Sequence, residues 1–258
     1  GVMCVKNWLV KLFRKDNKII AVAATVICAG VPVLMAAQNW DDHDRSHRYV
    51  ARDIGWNYLQ TCLPNSIIID YGDNDTFPLW YNQEVEGVRP DVRVMNMSYL
   101  AAGWYAEEML YKFNESDPVP FSLPLDKYMY KNELLYVEEL VESAPIDAVI
   151  DFIKSDSPVS YFTASENITF DFVPTRKIIV PVNKENALEC GIVKPEDAHL
   201  MLDTIEINIT GGTIDRGEMM LLDLLANFDW KRPIYFTVPR QLIKKLGMLD
   251  YMQFDGYA

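Results

Sequence analysis

The chain has 258 residues, half of them hydrophobic and 12% aromatic, enough for one large domain or a domain with an appendage. A formal net charge of −13 argues against nucleic acid as a partner, because an acidic surface repels a polyanion. The charge is uneven: residues 1–18 hold five bases against Asp16, net +4, residues 19–40 hold no charge, and the remainder carries −17.

The opening "VKNWLVKLFRK" mixes Trp8, Leu9, Leu12 and Phe13 with lysines, the pattern of an interfacial amphipathic helix. From Ile19 to Trp40 the chain then runs 22 residues without a charge. About 20 apolar residues span a bilayer core as a helix, and such helices tolerate an internal Gly30 and Pro32. A buried helix of a soluble protein or a cleaved signal peptide would also be apolar, but the run is long for a signal and no A-x-A site ends it. The basic flank comes first and the acidic flank second. The positive-inside rule therefore puts residues 1–18 in the cytoplasm, 19–40 across the membrane and 41–258 outside. Gly1 and the closing "DGYA" read as the ends of a piece of a longer chain.

Directly after the apolar run, "QNWDDHDRSHR" packs Asp41, Asp42, His43, Asp44 and His47 among Arg45 and Arg48. Trp40 suits the aromatic belt where a helix leaves the bilayer. His43 and His47 are four apart, so on a helix they would share a face and could chelate a metal. Two other readings stand beside this. The acids could open a solvated helix, favoured by its N-terminal dipole, or Arg45, Arg48 and Arg52 could pair with acids to brace the domain at the membrane.

"RSHRYVARDIGWNYLQTCL" follows, with Val50, Ile54, Tyr58 and Cys62 at fourfold spacing beside Ala51 and Leu59. This spacing predicts an amphipathic helix ended by Pro64 and Asn65. "SIIIDY" is a short apolar run of the kind buried on both faces of a parallel sheet. In "GDNDTFPLWYNQEVEG", Asp75 or Thr76 can cap a helix, Pro78 fits its first turn and Gly87 lies past its end. "DVRVMNM" is the next strand, and the helical crossover makes the pair parallel. "GWYAEEMLYKF" reads as a second helix.

Residues 114–200, punctuated by eight prolines, read as an insertion with a helix near 145–154 and β segments near 158–163, 168–173 and 177–182. "AHLMLDTIEINIT" holds a strand, "DRGEMMLLDLLANF" a strongly apolar helix, "PIYFTV" a core strand and "PRQLIKKLG" a last helix. The fold expected is one N-terminal transmembrane helix followed by an open, mostly parallel, Rossmann-like α/β sandwich with a Pro-rich β-containing insertion.

"GDNDT", Gly72 to Thr76, ends the first parallel strand, where open α/β sheets bind ligands. Asp73 and Asp75 could hold a divalent cation such as Mg²⁺; equally, Asp73, Asn74, Asp75 and Thr76 could serve only as turn and cap residues. The candidate ligand-binding set is thus Asp41, Asp42, His43, Asp44, Arg45, Arg48, Asp73, Asn74, Asp75 and Thr76, and the metal set Asp73, Asp75, His43 and His47. No G-x-S-x-G, H-E-x-x-H, P-loop or G-x-G-x-x-G occurs. Five N-x-S/T sequons start at Asn74, Asn96, Asn114, Asn167 and Asn208; the first falls in a folded turn, so they read as chance. Cys4 and Cys28 lie on the cytoplasmic side and in the apolar run. Cys62 and Cys190 would share an oxidising compartment and could pair or stay free.

"QNWDDHDRSHRYVARD", "NYLQTCLPNSIIIDYGDNDTFPLWYNQEVEGVRPDVRVMNMSYL", "FVPTRKIIVPVNK" and "LLDLLANFDWKRPIYFTVP" together resemble the domain-of-unknown-function 2723 family, over about Gln38 to Tyr257. These are multi-pass membrane proteins of Bacteroidetes, protein O-mannosyltransferase-like and grouped as glycosyltransferase family 117. The resemblance implies the last transmembrane helix plus a periplasmic domain, anchored in a bacterial inner membrane. The catalytic carboxylate would lie in an early exterior loop outside this chain, so no catalytic residue carries over.

The expected function is a membrane-tethered periplasmic domain that binds acceptor protein or glycan for an enzyme using a lipid-linked sugar. In that reading Asp41, Asp42, Asp73 and Asp75 could converge on a metal, and any lipid phosphate would need Mg²⁺ or Arg45, Arg48 and Arg52. The rivals are a non-catalytic envelope scaffold and a metal-dependent hydrolase without a visible nucleophile motif.

Overall fold

The computed structural model describes every residue except 130–133, 156, 166–167, 238–239 and 257–258. It divides into two compact units, Gly1–Tyr49 and Val50–Ala258.

The first unit is two helices. α1 (Val2–Phe13) ends at Arg14, which takes the left-handed conformation, and Asn17 caps α2 (Lys18–His43) by accepting the Ile20 N–H at 3.0 Å. Leu9 of α1 packs against Ile20 and Ala24 of α2, and the rest of α2 is almost wholly exposed. At ~1.5 Å per residue its 26 residues reach farther than a hydrocarbon core about 30 Å thick. Among the described residues it is the one helix long and apolar enough to cross a membrane. It runs three residues beyond the uncharged stretch, so Asp41, Asp42 and His43 form its last turn.

The second unit starts with α3 (Val50–Thr61), β1 (Ile67–Asp70), α4 (Asp73–Glu84) and β2 (Arg93–Asn96). β1 and β2 pair in parallel across the α4 crossover, as the apolar run and cap residues predict. The strand over "PIYFTV", Ile234–Phe236, pairs with β1 on its other side, also in parallel, so β1 is the middle strand. Alternation along the strands sends Ile68 and Val94 toward Leu59 and Leu79 of the two helices. Ile67, Ile69, Met95 and Met97 face the main core.

The buried face of α3 is not the expected one. Val50 is 71% and Ile54 39% exposed, while Gly55, Leu59 and Cys62 are buried. The cause is Gly55: a Cβ there would lie 2.5 Å from the Pro78 carbonyl oxygen. α3 therefore approaches α4 on a glycine, a contact that hydrophobic periodicity does not count. α4 also begins earlier than expected, at Asp73, with Gly72 (φ 99°) as N-cap, so Pro78 sits in its second turn.

α5 (Gly103–Glu108) is half the helix that "GWYAEEMLYKF" promises. The buried Arg93 guanidinium takes the Glu108 and Tyr111 carbonyls at 2.6 and 3.1 Å, and the chain turns there. α6 (Leu125–Met129), β3 (Leu134–Val137), β4 (Ser143–Pro145), α7 (Ile146–Lys154), β5 (Tyr161–Ser165), β6 (Ile168–Val173), β7 (Lys177–Pro181), α8 (Lys184–Glu189), β8 (Thr204–Asn208) and β9 (Thr213–Asp215) follow. They build two further sheets, ordered β5-β6-β3-β9 and β4-β7-β8. In them β3–β6 and β4–β7 are parallel, whereas β3–β9, β5–β6 and β7–β8 are antiparallel.

Among the described residues the second unit is therefore a mixed α/β unit with three sheets: the parallel pairing expected holds throughout the first, and the other two mix directions. The physical reason is connection length: β5 and β6 are two residues apart, which only an antiparallel return allows. The inserted sheets also extend to Asp215, past the boundary expected at 200.

α9 (Arg216–Asn227) is buried from Arg216 through Leu225 and packs on α7, β3 and the turn at 99–101. The strand at Ile234–Phe236 is β10, and α10 (Arg240–Lys245) follows; Val238 of "PIYFTV" lies outside the described residues. All four cysteines are free. Burial pushes the Cys62 thiol up to about 12, and Cys190 directs its thiol to the Trp230 carbonyl at 3.1 Å.

Candidate functional site at the carboxyl end of the parallel sheet

From β1 the chain crosses to β2 on one side, while β10 arrives on the other. Open α/β sheets leave a ligand crevice at such a divergence, beyond the strand carboxyl ends. Asp70, the last residue of β1, is 1% exposed and lies in register with Asn96, the last of β2. Thr76 Oγ1 lies 2.9 Å from Asp70 Oδ1 and 2.8 Å from the Gly72 carbonyl, and accepts from Asn96 Nδ2 at 2.6 Å.

One hydroxyl proton cannot serve both acceptors. With Asp70 ionised, Thr76 must choose between them; with Asp70 neutral, the acid would donate to Thr76 and free that proton for Gly72. Burial, together with the neighbouring Asp75, pushes the Asp70 carboxyl up to about 7 against the opposing pull of the Thr76 hydrogen bond. Its Oδ2 is buried without a hydrogen-bond partner.

Asn96 carries this network outward. Its Oδ1 accepts from Ser98 Oγ at 2.6 Å and from the Tyr99 N–H at 3.0 Å. Ser98 lines a cleft of about 440 Å³ with Tyr71, Met97, Asp215, Arg216 and Gly217. The far wall is the start of α9, closed by a capping box in which Asp215 and Glu218 each accept the other's backbone N–H at 2.8 Å. Arg216 is 4% exposed and donates to the Ala101 carbonyl at 2.5 Å. A Cβ on Gly217 would meet the Met97 carbonyl oxygen at 2.9 Å, so glycine lets the helix close on the strand end. Because Ser98 gives its proton to Asn96, it offers the cleft lone pairs.

The "GDNDT" residues stand beside this cleft network in cap positions. Asp73 and Asp75 occupy the first turn of α4, where the helix dipole favours carboxylates. Asp73 accepts from the Tyr99 hydroxyl at 2.5 Å, which raises the phenol's pKa, and Asp75 accepts from the Thr237 hydroxyl at 3.1 Å. Asn74 is exposed and Thr76 buried.

The earlier polar patch departs from its expected geometry. Asp41, Asp42 and His43 end α2 rather than opening a helix, so the dipole opposes the acids. His47 lies beyond the helix end and shares no helical face with His43, whose Nδ1 sits 2.9 Å from the Asn39 carbonyl. Asp44 turns back on Ser46, accepting its N–H at 2.9 Å and its hydroxyl at 2.6 Å, and both bonds lower its pKa. Arg45 and Arg48 are exposed, and Arg52 pairs with its neighbour Asp53 at 3.0 Å. Among the described residues no three His, Cys, Asp or Glu side chains gather closely enough to hold a metal ion.

Sequence reasoning missed Asp70, Asn96, Ser98 and the start of α9. Asp70 had one usable signal, a carboxyl closing an otherwise apolar strand.

The protein is thus a mixed α/β domain with a cleft beyond the carboxyl ends of β1 and β2, preceded in the chain by a helix suited to a membrane anchor. The chain belongs to the TMEM260-associated domain 2 family, whose model matches residues 51–258, almost the whole second unit. No curated protein and no solved structure matches the chain.

Proposed function

We propose that this chain is the membrane-tethered, periplasmic part of a glycosyltransferase-like protein that uses a lipid-linked sugar, with α2 in a bacterial inner membrane and residues 1–18 cytoplasmic. Its second unit binds acceptor protein or glycan in the cleft beside Ser98. The observation that carries the reading is that cleft, at the end of the parallel strands. Its polar groups suit a hydroxyl-bearing acceptor: Ser98 offers lone pairs, and Arg216 and Asp215 both line the cleft. A lipid phosphate would find one arginine beside a carboxylate there, so the donor sugar is handled elsewhere in the protein.

The test is transfer by the full-length protein in proteoliposomes, from polyprenyl-phosphate mannose to a Ser/Thr-rich peptide. Ser98→Ala and Tyr71→Ala are expected to raise the acceptor KM about fivefold, the equivalent of ~1 kcal/mol for one lost hydrogen bond, and to leave the donor KM unchanged. An acceptor KM unmoved by both substitutions would overturn the reading.

A scaffold role has its own supporting observation, since Asp73 and Asp75 are held by Tyr99 and Thr237 as braces. On that reading Asp73→Ala and Asp75→Ala each lower stability by about 1 kcal/mol in urea unfolding, with peptide binding intact. Selective loss of binding at full stability would contradict it.

A further inference from the structure

A second cleft lies away from the parallel sheet. The end of β7, the start of α8 and the far end of α9 enclose about 570 Å³, within the range of small-molecule sites. Its lining includes the apolar Val182, Phe228 and half-buried Trp230 together with the polar Asn183, Lys184, Asp203 and Asp229.

The charges are neutralised within the site. Asp229 accepts from Asn183 and Asn186 Nδ2, both at 2.9 Å, and pairs with Lys231 Nζ at 2.8 Å. Lys184 pairs with Asp203 at 2.6 Å. Among the described residues, each charged side chain that lines the cleft thus has an opposite charge beside it. What remains is hydrogen-bonding capacity: carboxylate lone pairs, amide oxygens and ammonium protons beyond those already engaged.

The backbone puts these groups there at some cost. Asp229 and Trp230 are consecutive left-handed residues, φ 47° and 57°, a conformation that non-glycine residues hold only when their surroundings impose it. Here Asn186 Nδ2 donates to the Asp229 carbonyl at 2.8 Å and Trp230 Nε1 to the Pro181 carbonyl at 2.7 Å. Glycine would make the same turn without strain, but would leave the cleft with neither the indole nor the carboxylate.

An aromatic ring lining the same cleft as neutralised amides and carboxylates matches one ligand class. A pyranose has a C–H face that stacks on an aromatic ring and a rim of hydroxyls that both donate and accept. We propose that the Trp230 cleft is a carbohydrate site, which holds a neutral hexose unit with Trp230 against its apolar face and Asn183, Asp203 and Asp229 along its hydroxyls. The site is distinct from the Ser98 cleft and does not require the transferase reading.

The experiment uses the whole chain in lipid nanodiscs, because sugar-headed detergents would compete. Methyl α-mannopyranoside, methyl β-glucopyranoside and glucuronate are titrated by saturation-transfer NMR. At least one neutral glycoside is expected to bind saturably in the millimolar range, and more tightly than glucuronate. Trp230→Phe is expected to weaken it fivefold or more. Asp203→Ala, at a side chain 91% exposed and therefore safe for folding, is expected to weaken it at least threefold. Ser98→Ala should leave it unchanged. Absence of saturable binding by either neutral glycoside, indifference to both cleft substitutions, or loss of binding in Ser98→Ala instead would overturn the proposal. Failure of the transferase reading shows separately, in the acceptor KM.

Discussion

Replacing Asp223 with leucine is expected to lower the stability of the second unit by about 3–5 kcal/mol. Asp223 lies within the buried helix α9 and is 0% exposed. Its carboxyl oxygens accept five hydrogen bonds: the Ser122 N–H and hydroxyl at 2.9 and 2.7 Å, the Leu123 N–H at 3.2 Å, the Tyr128 hydroxyl, and Asn227 Nδ2 at 2.9 Å. Burial and this carboxyl both raise the Tyr128 phenol's pKa. The carboxyl thereby pins the chain around residues 122–128 to α9. Leucine has the same branching but is bulkier and has no acceptor, and each orphaned buried donor costs ~1–3 kcal/mol before relaxation. Asp223→Asn keeps one acceptor oxygen but turns an NH₂ toward the donors, so it should fall between parent and leucine. Urea midpoints at constant m-value measure the series. A leucine variant within about 1 kcal/mol of the parent would show that water replaces the carboxyl and that the segment is not held by it.

The second large effect depends on pH. The Asp70 carboxyl sits at about 7 in the folded chain, above an ordinary value of 3.8. Between those values the native state holds a proton that the unfolded chain has released. The contribution to stability is therefore complete below the lower value and is lost as pH rises through the upper one, a span of about 4 kcal/mol at most. Asparagine at this position donates to Thr76 as the neutral acid does, and has no charge to desolvate. The advantage of Asp70→Asn over the parent should widen by ~2 kcal/mol or more between pH 5 and pH 8. The difference between the two proteins cancels the other titrating carboxylates. A difference flat from pH 5 to pH 8 would mean that water reaches Oδ2 and that Asp70 stays ionised.

Local pattern made much of the fold legible. The apolar run closing on Asp70, the strands at 168–173 and 177–181 and the strongly apolar α9 all reflect short-range periodicity and turn chemistry and fall where the sequence puts them, whereas β3 and β4 were not expected and β5 lies at 161–165 rather than near 158–163. The assembly of strands into three sheets did not, because pairings such as β3 with β9 join residues about eighty positions apart. The buried face of α3 was misread because Gly55 provides its closest contact and has no hydrophobicity to register. For the site, the position after β1 was legible from the sheet rule alone. The residues that count were not: attention went to Asp73 and Asp75, which are conspicuous in sequence as paired acids at a helix start. Asp70 hides in an apolar string, Asn96 registers only as a sequon, and the α9 wall of the cleft lies more than a hundred residues away.

Both clefts sit at the ends of α9: Asp215 to Gly217 line one, Phe228 to Trp230 the other. A twelve-residue helix is about 18 Å long. With nearly every turn enclosed, its central amides should exchange with deuterium only when the whole unit opens. The helix thus acts as a rigid spacer. Occupants of the two clefts would be held at a constant separation, and neither could influence the other by bending the rod between them. Any communication must pass through the stability of the entire unit, so binding at either end would slow exchange along the same helix.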